Sequence, residues 1–171
     1  MAEAIAIFHD RAGLDSEGNI VNRGMVVGAA GKIVTTTATA LSLTATQHAG
    51  RDLVINTNST VANTFTLPVA TGSGNTYSVL NNVVQTQGTV VFAANGTDVL
   101  QGWCVVIDST AGGGTDQFAT TATSDKMTLN LTTTGGLGGD EATFVDMAAN
   151  TWLVRAQLTG SGSLATPFSA T

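Results

Sequence analysis

The sequence has few residues that carry charge. Six Lys and Arg stand against twelve Asp and Glu in 171 residues, which gives a net charge of −6, and the six cations do not cluster. Binding to nucleic acid without sequence preference requires several cations that follow the phosphates, so we expect no direct nucleic-acid partner. An acidic chain is also repelled by anionic membrane surfaces, so no membrane partner is expected.

Cysteine and long apolar runs are equally scarce. Cys104 is the only cysteine, so no internal disulfide can form. Its position in the apolar segment 103–107 predicts a buried, unreactive thiol. The chain shows neither the pattern of a signal peptide nor a run long enough to span a membrane, so we expect synthesis in a cytoplasm.

Histidine is too rare to support the usual catalytic or metal sites. His9 and His48 are the only two. A hydrolase triad needs a base that converges with a nucleophile and an acid, and a transition-metal site needs several clustered ligands. We therefore interpret both histidines as ordinary turn or surface residues, and we predict no metal-ligating and no cofactor-binding residues.

The carboxylates give no clear catalytic pattern either. Asp140 and Glu141 are adjacent, so in a strand they would point to opposite faces. A glycosidase pair among the other carboxylates would depend on separations that a sequence does not show. The prediction is that the protein has no catalytic residues and is not an enzyme.

A glycine-rich segment at residues 135–140 (GGLGGD) matches the first six positions of a nonapeptide calcium repeat. Such a site needs stacked copies that supply ligands to one another, and here the motif occurs once. We predict a glycine-rich hairpin turn and no calcium site.

Thr and Gly are abundant, with 29 and 20 residues. Thr is β-branched and suits a strand, whereas Gly and Asn supply the backbone conformations of tight turns. From residue 41 onward, apolar and polar residues alternate in short runs such as 64–67 and 126–131, with turns every 8–12 residues. The pattern predicts an all-β body of about ten short strands at 41–171, built as an antiparallel β-sandwich or barrel-like structure.

The first 40 residues differ from this body. They hold seven of the 18 charged side chains, and Gly24, Gly28 and Gly31 oppose a continuous helix. We predict an extended N-terminal arm at 1–40 that becomes ordered on a partner surface.

Several segments carry a resemblance to a known group of proteins. Residues 66–77 (TLPVATGSGNTY) and 93–102 (AANGTDVLQG) are similar to structural proteins of tailed bacteriophages. Residues 132–137 (TTTGGL) and 149–154 (ANTWLV) resemble small virion proteins, in particular capsid cement or decoration proteins. The likeness extends over residues 41–170 and leaves out the arm.

The resemblance implies a structural virion protein that binds the outer surface of a phage capsid and stabilises it. Its partners would be the major capsid protein, with the arm as the docking segment, and two further copies of itself in a homotrimer. We expect the trimer contacts at the apolar faces near residues 90–92 and 105–107, and we expect the protein to reside on the virion.

An alternative is a tail-fibre or receptor-binding module that recognises a host surface glycan. Such modules present aromatic platforms to sugars, whereas aromatic residues make up only 5% of this chain. A polysaccharide depolymerase is a third reading, disfavoured by the short chain and the missing catalytic site.

Overall fold

The computed structural model describes residues 33–170, together with the backbone of residues 13–14 and 20–21. The chain divides into two compact units, residues 1–31 and 32–171. In the first unit, β1 (Gly13–Leu14) pairs antiparallel with β2 (Ile20–Val21). The remainder of the predicted arm up to residue 32 lies outside the described residues.

The regular secondary structure of the second unit consists almost entirely of strands, which confirms the prediction of a β protein. One four-residue helix, α1 (Ala45–His48), interrupts them. The strands are β3 (Ile33–Thr36), β4 (Ala40–Ser42), β5 (Asp52–Ile55), β6 (Asn63–Thr66), β7 (Thr76–Asn81), β8 (Val90–Ala93), β9 (Val99–Asp108), β10 (Thr115–Ala119), β11 (Lys126–Leu129), β12 (Glu141–Ala148), β13 (Thr151–Gly160) and β14 (Phe168–Ser169).

These strands form two mixed sheets. The larger has seven strands in the order β10-β9-β13-β12-β7-β5-β3, and the smaller has five in the order β14-β11-β8-β6-β4. The prediction of purely antiparallel sheets is wrong, because β3·β5, β5·β7, β4·β6, β6·β8 and β9·β13 are parallel. Parallel strands need a long crossover, usually a helix. In the four parallel pairs within residues 33–93, the crossover contains a strand of the opposite sheet, which a local pattern does not reveal.

The parallel pairs organise residues 33–93 into what we call the coil. Its strands alternate between the sheets: β3, β5 and β7 lie in the larger one, and β4, β6 and β8 in the smaller one. Paired residues are 19 to 27 positions apart, as in Ile33–Asp52–Ser78 and Ala40–Thr64–Val91. Each turn of the coil thus adds one strand to each sheet.

The β body begins earlier in the chain than predicted. Strand β3 pairs with β5 over its whole length, so the larger sheet begins at residue 33. The body had been predicted to start at residue 41. The featureless β-prone segment 33–40 therefore belongs to the sheets and not to the arm.

Residues 99–170, here the C-terminal half, use mainly antiparallel pairing. Strands β12 and β13 form a hairpin, and β12 pairs on its other side with β7 of the coil. Strand β9 lies between β13 and β10, while β11 lies between β8 and β14. Both sheets therefore continue from the coil into the C-terminal half.

One hydrophobic core receives side chains from both sheets. Phe92 of the smaller sheet and Phe144 of the larger sheet have ring centroids 5.4 Å apart, so the sheets face each other there. Phe92 also stacks on Phe65 at 5.6 Å. Cys104 is fully buried, as predicted, and burial raises the pKa of its thiol to about 11.

The core takes up some of the side chains expected at the trimer contacts, while Val91 and Val105 are half-buried and do not belong to it. Val90 and Phe92 are buried, and so is Val106. Their side chains fill the space between the two sheets and cannot touch a second copy. Of the segments named for that contact, Ile107 is 47% exposed.

Candidate functional site

The histidine that the structure describes supports a helix end. His48 is buried, and its Nδ1 accepts a hydrogen bond from the Thr44 backbone N–H at 3.0 Å, just before α1 begins. Burial lowers its pKa, and the positive charge of Arg51 acts in the same direction. His9 lies outside the described residues.

Asp146 holds a loop of the coil. Its carboxylate accepts hydrogen bonds from the backbone N–H groups of Thr71, Gly72 and Ser73 and from the hydroxyls of Thr71 and Ser73, at 2.6–3.1 Å. Burial alone would raise the pKa of Asp146, but these hydrogen bonds outweigh it and lower the pKa to about 2. Since Asp146 lies in β12, it joins the C-terminal half to the coil.

Asp140 plays a similar part in the glycine-rich turn. It accepts from the backbone N–H groups of Gly136, Leu137 and Thr159 at 2.7–3.2 Å. Burial raises its pKa, against the effect of these hydrogen bonds. Gly135 has a φ of +100°, and a Cβ there would meet the Asp140 carboxylate at 2.8 Å, so this turn requires glycine.

Asp140 and Glu141 point in opposite directions: Asp140 is buried and Glu141 is exposed. Within residues 33–170 and the two short strands before them, no group of three or more His, Cys, Asp or Glu side chains is arranged to hold a metal ion. Asp98 also serves a loop, since it accepts from the Ala70 backbone N–H at 2.7 Å. The buried carboxylates are thus used to hold loops.

An open surface on the larger sheet has a different character. Trp103 projects outward from β9 and is 48% exposed, although β9 lies between β10 and β13. Arg155 is its register partner on β13, and Thr143 is the partner of Arg155 on β12. Gln157 and Glu141 form the next paired row. These side chains and Ala156 line a shallow concavity of about 270 Å³.

The concavity was not predicted from the sequence. The segment 103–107 is apolar throughout, which indicates a strand buried on both faces and hides which residues point outward. A weak signal was Gly102, because glycine inside a strand often marks a close backbone approach. A Cβ at Gly102 would collide with the carbonyl oxygen of Val154 on the neighbouring strand.

The sheet edges form a second surface of interest. At one side, the edge strands are β10, which carries Asp116, and the two-residue β14, which follows Pro167. At the other side, the edge strands are β3 (IVTT) and β4 (ALS), which have no charge and no proline. Charge, proline and shortness are the usual means of keeping a sheet edge from pairing with another chain. Strand β3, of four residues, has neither charge nor proline.

The chain matches no protein-family model, and no curated protein is significantly similar to it. In the part of the chain that the structure describes, no helix is long and apolar enough to cross a membrane.

Proposed function

We propose that the protein is a structural virion protein that binds the outer surface of a phage capsid and stabilises it, as a cement or decoration protein. Its partners are the major capsid protein and, in a homotrimer, two further copies of itself. The proposal includes a β-sandwich body, which the shared core and the open strand order of both sheets support. It gives the protein no enzymatic activity and no contact with nucleic acid.

The observation that carries this proposal is the edge that β3 and β4 form at the start of the coil. The backbone carbonyl of Thr36 accepts from the N–H of Asn56, the residue just after β5, at 2.8 Å. Because successive backbone groups of a strand point to alternate sides, the amide of Thr35 points away from β5. Among the described residues, β3 and β4 have no strand on their outer sides.

Such an edge suits a stabilising role on a shell. A strand from a capsid subunit, or the arm of a neighbouring copy, can extend either sheet by main-chain hydrogen bonds. A protein that bridges two subunits in this way adds contact where the shell would separate under pressure from packaged DNA. The exposed Ile33 side chain on β3 adds apolar area to the same surface.

The test is to remove one outward-pointing amide. Thr35→Pro removes the backbone N–H of residue 35 and leaves the hydrogen bond from Asn56 N–H to the Thr36 carbonyl in place. Thr35→Val keeps the N–H and is the matched control. Purified full-length variants are added to shells that lack the protein, and occupancy is measured by co-sedimentation and the shell's heat resistance by calorimetry.

We expect wild type and Thr35→Val to decorate shells at hundreds of copies and to raise their unfolding temperature, whereas Thr35→Pro loses at least about tenfold in affinity. Equal occupancy by Thr35→Pro would rule out β3 as the contact. Failure of the wild type to bind any shell, or a content of a few copies per virion, would overturn the cement function.

The tail-fibre or receptor-binding alternative has one observation in its favour. Trp103 presents an exposed indole on a sheet face, which is the kind of aromatic platform that glycan recognition uses. A low copy number together with adhesion of the isolated protein to host cells would support this alternative.

A further inference from the structure

We infer that the concavity around Trp103 binds a neutral saccharide. This inference goes beyond capsid binding and does not depend on it, because the edge strands β3 and β4 and the concavity involve different residues. It begins with the contrast between the two tryptophans. Trp152 is buried in the core beside Tyr77, with ring centroids 5.4 Å apart. Trp103 leaves about half of its surface in water, in the middle of a sheet where a smaller side chain would suffice.

The polar side chains near Trp103 are available to a ligand. Among the described residues, no hydrogen bond or ion pair is found for the guanidinium of Arg155, the carboxylate of Glu141 or the amide of Gln157. The contrast with Asp140 and Asp146 is clear, since the carboxylates of those residues are engaged by three and five donors. Donors and acceptors without partners therefore surround an exposed aromatic plane.

This combination fits a sugar better than other ligands. A pyranose ring has an apolar face of C–H groups, which stacks on an indole, and a rim of hydroxyls. Planar side chains such as those of Arg, Glu and Gln can bond two neighbouring hydroxyls at once. Arg155 and Glu141 together bring no net charge, and the chain carries −6. An anionic polymer is therefore disfavoured, as is a nucleotide with its phosphates.

The shape of the site indicates how the sugar binds. The concavity is shallow and open, and it crosses β9, β13 and β12. It does not enclose a small molecule, as a typical cofactor pocket does. An internal residue of a longer glycan chain can lie across it with both neighbours in solvent, so a polysaccharide on a cell surface is accessible without a free chain end.

The experiment uses the isolated full-length protein without any shell. The probes are cellohexaose, maltohexaose and chitohexaose, which are neutral and differ in linkage and substituent. Binding is followed by protection of tryptophan fluorescence from acrylamide. Because Trp152 is buried, the quenchable signal comes from Trp103.

The variants are Trp103→Ala, Arg155→Ala and, as the matched control, Ile107→Ala. Ile107 is exposed on the same strand and does not line the concavity. Circular dichroism and thermal unfolding verify that each variant folds. The binding titration for Trp103→Ala is repeated by saturation-transfer NMR, which needs no tryptophan.

We expect at least one hexasaccharide to bind, Trp103→Ala and Arg155→Ala to weaken binding at least about tenfold, and Ile107→Ala to change it less than about twofold. Three results would overturn the inference: no protection of Trp103 by any of the three probes, unchanged binding by Trp103→Ala, or burial of Trp103 between copies. The last is detected when sedimentation shows self-association that Trp103→Ala abolishes.

Discussion

The coil and the C-terminal half each contribute a buried network that holds loops, and the two networks differ in their chemistry. In the coil, the buried amide of Gln85 accepts from Asn63 Nδ2 at 3.4 Å and donates to Asn81 Oδ1 at 3.3 Å and to the Thr57 carbonyl. In the C-terminal half, Asp140 and Asp146 take the same role. An amide does not titrate, whereas a carboxylate does. The coil's network is therefore insensitive to pH, while the joint between the halves depends on it.

The largest effect is expected where the two halves share their core. Phe92 of the coil contacts both Phe65 and Phe144. Phe92→Ala should lower the free energy of unfolding by about 3–5 kcal/mol, because it leaves a cavity between the sheets. Urea unfolding followed by far-UV circular dichroism and by Trp152 fluorescence measures this, with Phe92→Leu as a milder control.

Both signals should shift together, because one core serves both sheets. If the fluorescence transition stayed at its wild-type midpoint while the circular dichroism transition moved, the halves would be independent folding units. The comparison between them would then be one of two domains.

A smaller effect is expected at the carboxylate joint. Asp146→Asn should cost about 2–3 kcal/mol at pH 7, because it replaces a charged acceptor of five hydrogen bonds. The lowered pKa of Asp146 means that its stabilisation is present above about pH 4 and is lost as the pH falls toward 2. Urea midpoints between pH 2 and pH 7 measure both effects.

Asp140 acts in the opposite direction in the same titration. Because its pKa is raised, its stabilising contribution is greatest at low pH and declines as the pH rises through its folded-state pKa. The difference between wild type and Asp146→Asn isolates Asp146, and exposed Asp116→Asn is the control, with no expected change of midpoint. An Asp146→Asn profile parallel to the wild type would show that Asp146 does not carry the acid sensitivity.

The smallest effect is expected in the amide network of the coil. Gln85→Met keeps the length of the side chain and leaves the amides of Asn63 and Asn81 without this partner, for a loss of about 1–3 kcal/mol. The loss should be equal at pH 3 and pH 7. Urea unfolding at both pH values measures it.

Gln85→Glu offers the sharper form of this test. It places a titratable group among the same partners, so the variant should be less stable at pH 7 than at pH 3 relative to wild type. Equal losses at the two pH values would contradict the assignment of pH dependence to carboxylates.

The sequence predicted individual strands well because they depend on local pattern. The runs 64–67 and 126–131 were predicted, and the structure has β6 and β11 at these places. Pro68 ends the first of them, as expected from its missing N–H. The glycine-rich turn before Glu141 also forms, with Asp140 as its acceptor.

Pairing could not be predicted in the same way. Alternation of apolar and polar residues shows that one face of a strand is buried, but it does not show which sheet the strand joins or in which direction its neighbour runs. The segments near Thr64 and Ser78 look alike in sequence and lie in different sheets. The alternation at residues 41–46 predicts a strand and residues 47–50 a turn, whereas the structure ends β4 at Ser42 and has α1, only one helical turn long, at Ala45–His48.

The surface around Trp103 was hidden for a related reason. Outward and inward residues of β9 are both apolar, so burial in this strand depends on what covers each face of the sheet. That information belongs to β12 and β13, far along the chain. The hydrogen bonds that residues 71–73 donate to the Asp146 carboxylate could not be predicted either, because they join residues more than 70 positions apart.

Because the coil alternates between the two sheets, the sheets can become wider or narrower by one whole turn of the coil at a time. Each added turn would contribute one strand to each sheet and leave the pairing of the other turns intact, as in repeat proteins. Neighbouring strands are about 4.8 Å apart, so one inserted or deleted turn would move the first edge by that distance relative to the C-terminal half. The proposed saccharide site in the C-terminal half and the proposed docking edge of the coil would thereby change their separation while each keeps its own residues.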